Sequence, residues 1–181
     1  DYELIFKKGR KEVAKLDIWH YQEPELQTVQ LNNLPQDLKR SYVCKIELDG
    51  DSAFAQLARE EYPIVNVPEE WSCNWGYSVS DKNYELESQW SANPHRDLWI
   101  VSVKDGKSRM LLKDVYIQSV SASPEGKYLT WFNLTDRNWY SYDVTEDKIR
   151  NISSDIKTSL TDELHDTPEM APGYGSCGWM T

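Results

Sequence analysis

Two stretches of the chain repeat one another. Arg96–Leu111 (RDLWIVSVKDGKSRML) and Arg137–Ile152 (RNWYSYDVTEDKIRNI) align at an offset of 41 residues. Arg96 matches Arg137, Val103 matches Val144, Lys107 matches Lys148 and Arg109 matches Arg150. Each copy reads as strand, tight turn, strand. The segments ahead of each copy agree in kind. Tyr77–Asp81 and Val120–Pro124 each end a strand in a polar turn, and Tyr84–Trp90 and Tyr128–Asn133 each read as the next strand. A small sheet of this sort has two faces to cover. Repetition solves that problem by letting each copy cover its neighbour.

The rest of the chain extends the pattern. Short runs rich in β-branched and aromatic residues alternate with turn residues, the signature of strands joined by hairpins. They are Ser41–Leu48, Phe54–Leu57, Asn74–Ser80, Tyr84–Trp90, Asp97–Val103, Arg109–Leu112, Tyr116–Ala122, Lys127–Asn133, Asn138–Val144 and Ile149–Ile152. Leu26, Val29, Gln30 and Asn33 hint at one turn of helix that nothing sustains. Ala53–Glu61 has helical propensity but sits where Ser41–Leu48 and the Asp49-Gly50-Asp51 turn want a partner strand. Four strands recurring every 40–50 residues have the spacing of propeller blades. The expected fold is therefore all-β: a partial β-propeller of four-stranded antiparallel blades over residues 17–181, after a charged leading tail at 1–16. Two full blades are expected at 74–112 and 116–152. Ser41–Ala58 reads as the outer half of an earlier blade, and Gly173–Thr181 as the lead-in to a later one.

Composition narrows the function classes. There are 8 Trp and 11 Tyr but only 3 Phe, which suits sheets with wet edges because Trp and Tyr bury area while keeping a polar handle. Mean hydropathy is −0.71 and no long apolar run occurs, so no membrane-spanning helix is expected. A net charge of −10 disfavours binding to phosphate backbones. Cys44, Cys73 and Cys177 have neither a zinc-site spacing nor an even count, and are read as buried free thiols in preference to one bridge with a thiol left over. The chain begins at Asp1 without a leader and is read as a piece of a longer protein, so its start does not reveal the compartment.

No catalytic, cofactor-binding or metal-binding residue is nominated. Gly173-Tyr174-Gly175-Ser176-Cys177-Gly178 spells G-x-G-x-x-G, but a dinucleotide site needs a strand before it and a helix after it, and neither pattern is present. His20, His95 and His165 are scattered. Glu163, His165 and Asp166 are the densest ligand-like group and read as a polar loop bonding its own backbone. The pairs Glu60-Glu61 and Glu69-Glu70 read as solvated acidic surface. Trp99–Ser102 and Trp139–Tyr142 read as packing between blades, with a stacking platform as the alternative. Asn133-Leu134-Thr135 and Asn151-Ile152-Ser153 are glycosylation sequons, meaningful only in a secreted eukaryotic protein.

Ser123-Pro124-Glu125-Gly126-Lys127-Tyr128-Leu129, followed by an aromatic strand, resembles the blade signature of prolyl oligopeptidase and dipeptidyl-peptidase propellers, and of periplasmic translocation-protein propellers. Pro sets φ in this turn and Gly accepts the positive φ that follows. Asp17–Leu31, Lys39–Tyr42, Arg96–Trp99, Asp136–Asp143, Lys148–Ile152, Glu163–Pro168, Tyr174-Gly175 and Gly178-Trp179 are similar to the propeller of bacterial members of the peptidase family. The resemblance implies a propeller over an α/β-hydrolase domain that carries Ser, Asp and His. This chain has no G-x-S-x-G elbow, so no catalytic residue carries over. In dipeptidyl peptidases a Glu pair holds the substrate amine, and neither pair here sits in that motif. The implied role is a non-catalytic fragment gating short peptides into the hydrolase, with a periplasmic or secreted location. Implied partners are that hydrolase domain and short peptides, with self-association through an open sheet edge a further one. The rival is a binding or scaffold propeller without a peptidase, and a third reading is a freestanding all-β domain.

Overall fold

A computed structural model describes residues 20–48, 53–68 and 73–180. They fall into two compact units divided between Arg40 and Ser41. In the first unit, α1 spans Gln27–Asp37. This helix corrects the expectation that nothing sustains a helix there. None of its residues is buried and no side chain caps its start at Leu26, so it lacks the one-sided apolar stripe by which a helix shows in a sequence. Pro35 sits in its last turn, removing one amide donor near the end where the helix stops.

The second unit is all-β, and its described residues form antiparallel sheets. Strands β1 (Cys44–Ile46) and β2 (Phe54–Gln56) pair as a hairpin, so Ala53–Glu61 does supply the partner strand. The expected turn at 49–51 lies outside the described residues. Strands β3 (Trp75–Ser80), β4 (Arg96–Ser102) and β5 (Ser108–Val115) form a three-stranded sheet in that order. Strands β6 (Ile117–Ala122), β7 (Tyr128–Asn133), β8 (Asn138–Asp143) and β9 (Lys148–Asn151) form a four-stranded one.

The 41-residue repeat therefore superposes β4–β5 on β8–β9, but its upstream half needs correction. Tyr84–Trp90 is not a strand: Lys82–Gln89 is a 3-10 segment broken at Tyr84. The counterpart of β7 is instead β3, since each pairs antiparallel with the first strand of its repeat copy. The counterpart of β6 is the segment around Asn66. Its N–H and carbonyl exchange two 2.8 Å hydrogen bonds with Tyr77 on the edge of β3 away from β4. Only one residue pair bridges there, so among the described residues the 74–112 sheet has three strands and a single bridge where four strands are expected. Gly76 is required at this edge, because a Cβ would stand 2.8 Å from the Asn66 carbonyl oxygen and 2.9 Å from Val65 and Val67 side-chain atoms.

Strand alternation explains the stacking. Along β4, Leu98 and Ile100 face one way, and Trp99, Val101 and Val103 (just past its end) face the other. The first pair joins Ile117, Leu129, Trp131 and Tyr142 of the four-stranded sheet in one core. The second set joins Ala55, Leu57, Ala58, Tyr62 and Val65 in another. The middle sheet is thus covered on both faces. Leu98, Val101, Leu129 and Phe132 are wholly buried, each worth about 1.5–3 kcal/mol over an exposed position. Beyond the four-stranded sheet, residues 160–162 and 172–174 pair across one bridge, and Gly173 packs on Phe132. Gly173–Met180 forms no strand, although it does lie against the far face of that sheet through Gly173 and through Trp179, whose indole donates to Ser121 Oγ at 3.1 Å.

Candidate functional site

The strand directions separate two ends of the stacked sheets. At one end lie three tight turns: 103–107, 123–127 and 144–147. At the other lie the long 81–95 connection between β3 and β4, the four-residue turn 134–137 between β7 and β8, and the chain leaving β9. Tyr116 alone links β5 to β6 at this same end. Long connections held by a rigid scaffold are where binding residues concentrate.

The 81–95 insertion is anchored by one carboxylate. Asp97, near the start of β4, is 1% exposed. It accepts hydrogen bonds from the Tyr84 hydroxyl (2.8 Å), Asn83 Nδ2 (2.8 Å) and the Asp114 N–H (3.0 Å). A buried carboxylate is tolerable only when its lone pairs are satisfied in this way. Burial, and then the bond to Asp97, push the Tyr84 phenol up to about 12.

Next to it, His95 is held on all sides. Its N–H donates to Glu87 Oε2 at 2.9 Å and its Nδ1 lies 2.8 Å from the same oxygen. Its Nε2 is 3.8 Å from Asp114 Oδ1, and its ring packs on Tyr116 (3.8 Å between centroids) and Tyr84 (5.6 Å). The backbone bond from His95 holds the Glu87 carboxyl below its ordinary value. Burial, then the charges of Glu87, Asp114 and Glu169, push the Tyr116 phenol up. Glu169 reaches in from the chain after β9, accepting from the Ala92 N–H (3.2 Å) and from Ser91 Oγ (3.3 Å). These contacts tie the end of the 81–95 insertion to Tyr116, the link between β5 and β6.

The sequence candidates are dispersed. His20 packs at a tilt against Tyr21, and His165 bonds Thr167 Oγ1 at 2.7 Å. Around Glu163 and His165 the Leu164 N–H donates to Asp162 Oδ1 at 3.0 Å, and the Glu163 N–H donates to the Tyr174 hydroxyl at 3.4 Å, so the loop bonds the 172–174 segment as well as itself. Glu60-Glu61 is exposed, and Glu69-Glu70 lies outside the described residues. No group of three His, Cys, Asp or Glu among the described residues is arranged to hold a metal. No helix follows the G-x-G-x-x-G stretch among the described residues. No disulfide forms, but Cys44 and Cys177 are exposed and Cys73 half-buried, correcting the expectation of buried thiols. Trp131 and Tyr142 pack in the core, while Trp90 stays exposed. Both sequon asparagines accept a bond from the N–H two residues on, at 2.9 Å for Asn133 and 3.0 Å for Asn151. The Asp97–Tyr84 and His95–Glu87 pairings escape a reading of the sequence. The one available signal is the polar and aromatic density of Asp81–His95, which also suits a strand.

No protein-family profile matches this chain, and no curated protein sequence matches it either. A solved acylaminoacyl peptidase, in complex with Z-Gly-Gly-Phe-chloromethyl ketone, is distantly similar in structure: 17% identity, a TM-score of 0.35, and 51% of this chain covered. The match covers 14% of that chain.

Proposed function

We propose that the chain is a non-catalytic portion of a β-propeller belonging to a prolyl-oligopeptidase-type serine peptidase. In this reading the insertion end meets a hydrolase domain elsewhere in the parent protein and shapes the passage of short peptides, in a periplasmic or secreted setting. The observation that carries it is the recurrence of one sheet order in two stacked copies, Asn66-β3-β4-β5 on β6-β7-β8-β9, with Leu98 and Ile100 set against Leu129 and Trp131. Radial repetition of such sheets is what builds a propeller. The resemblance of Asp17–Leu31 and Glu163–Trp179 to the peptidase family supports the parent activity over the scaffold propeller, which shares only the Ser123–Leu129 turn. The purified chain is expected not to turn over a dipeptidyl chromogenic substrate. Turnover blocked by a serine-directed inhibitor overturns the proposal. Reading the parent gene past Thr181 should reveal G-x-S-x-G followed by Asp and His, whereas further blades and then a stop would favour a scaffold propeller.

A further inference from the structure

His95 ends the 81–95 insertion, and the two nitrogens of its ring meet carboxylates of different origin. On the insertion side both Glu87 oxygens stand close to Nδ1, at 2.9 Å and 2.8 Å. An ionised carboxylate only accepts hydrogen bonds, so the neutral ring carries its proton on Nδ1 and leaves Nε2 a bare acceptor. That nitrogen faces a second acceptor, Asp114 Oδ1, at 3.8 Å. The sheet aims Asp114 there. Between the pairs Arg96–Val115 and Leu98–Leu112, β5 carries one more residue than β4, and a bulge of this kind re-aims a side chain. Asp114 takes φ +58° in the bulge, and its N–H donates to Asp97 at 3.0 Å.

We propose that His95 is a pH-sensitive clasp: a second proton, taken from solvent at Nε2, converts the contact with Asp114 into an ion pair and fastens the insertion to the end of β5. The Tyr116 ring, 3.8 Å away between centroids, adds to the hold because an aromatic face attracts a cation. The surrounding groups keep their charge between about pH 5 and about pH 8, the interval in which histidine changes its own. The Tyr84 and Tyr116 phenols are pushed up and stay neutral there. The Glu87 carboxyl, held down by the backbone bond from His95, stays ionised. The other charged groups around the cluster are occupied. Asp97 accepts from three donors, Glu169 accepts from the Ala92 N–H and Ser91 Oγ, and Arg96 donates to the Ile117 carbonyl at 3.5 Å. The cationic ring has partners in the closed insertion that it lacks in an opened one. The hold is therefore present at low pH and lost as pH rises. It involves no hydrolase domain and stands apart from the peptidase reading.

The test is amide hydrogen exchange of the full chain at about pH 5 and about pH 8, each amide corrected for its intrinsic rate. The Trp90, Ser91 and His95 amides all bond Glu87. They should be about fivefold better protected at the lower pH, a modest factor because the Asp114 side chain is 61% exposed. Amides within β7 and β8 should not change in step. Asp114→Asn keeps the left-handed turn and the N–H bond to Asp97 but removes the charge, so the ratio should fall below about twofold. His95→Gln keeps the backbone bond to Glu87 and should abolish the difference; where it loosens the insertion outright, Asp114→Asn decides alone. Ring nitrogen chemical shifts at about pH 8 should place the single proton on Nδ1. The proposal is overturned if the parent chain is equally protected at both pH values, or if β7 and β8 change to the same extent. It is equally overturned if Asp114→Asn responds as the parent does, or if the neutral ring carries its proton on Nε2. Each of these results leaves the peptidase reading untouched.

Discussion

Replacing Gly126 with Ala tests whether the Ser123–Leu129 turn is bolted to the neighbouring sheet. Gly126 has φ +64°, so any side chain there costs about 1 kcal/mol in backbone strain. A Cβ would stand 2.4 Å from Cys73 Sγ and 3.3 Å from Trp75 Nε1. The Trp75 indole donates to the Gly126 carbonyl at 2.7 Å, a bond worth about 1 kcal/mol that the clash would disturb. Displacing the Cys73 sulfur adds about 1 kcal/mol of overpacking. The expected cost is about 3 kcal/mol. Gly175 is the matched control, with φ +85° and nothing within 4 Å of where an alanine methyl would sit, so Gly175→Ala should cost only the conformational term of about 1 kcal/mol. Urea unfolding followed by tryptophan fluorescence measures both. Adding Cys73→Ala to the Gly126→Ala background, with Cys73→Ala alone completing the cycle, should recover about 1 kcal/mol. Equal costs for the two glycines would refute the claim that the turn packs on the adjacent sheet.

Further expectations follow from the same contacts. Burial, and then the bond to the Asp147 carboxylate, push the Tyr142 phenol up to about 12, as burial and Asp97 do for Tyr84. Both lie above the ordinary 10.0, so the stability they contribute is complete below pH 10 and is lost as pH rises toward 12. A tyrosinate absorbance titration should find phenols that resist ionisation until the sheets unfold, Tyr84 and Tyr142 among them, and uniform titration near pH 10 in the folded chain would contradict this. Asp97→Ala orphans three donors and should cost about 3 kcal/mol. Hydrogen exchange should then show residues 82–90 losing protection before the strands do, and a uniform loss would count against a local anchor. Arg109 joins the two sheets by donating to Asp147 Oδ1 (2.6 Å) and to the Tyr142 hydroxyl. Because the Arg109 and Asp147 side chains are 48% and 69% exposed, Arg109→Ala should cost under about 1 kcal/mol, and less in high salt. A cost of several kcal/mol in denaturant unfolding would show the clamp to be far stronger than an exposed ion pair.

Much of the strand pattern is readable because strands have a short period. Leu98, Ile100, Trp99 and Val101 alternate faces, so their neighbours in sequence already imply two buried sides. The tight turns are readable for a similar reason: Pro124 fixes φ locally and Gly126 admits the positive φ that follows. The strand expectation for Tyr84–Trp90 fails because its residues are exposed or half-buried and Tyr84 and Glu87 make their bonds sideways, to Asp97 and His95, 13 and 8 positions away. Local propensity carries no information about such partners. The helix Gln27–Asp37 escapes for the converse reason, having no buried face to leave a 3.6-residue period.

The 41-residue repeat that marks this chain by itself determined that β4–β5 and β8–β9 would be equivalent hairpins, because alternation and turn chemistry act over a few residues. Only the tertiary structure decided what completes each sheet. Asn66 takes the place beside β3 because Gly76 lets the backbone come close, and Lys82–Gln89 is expelled from the sheet because the buried Asp97 carboxylate offers its polar side chains better partners than a strand edge would. It also set Asp114 against the His95 ring, since the extra residue in β5 depends on pairing with β4 and not on any local preference.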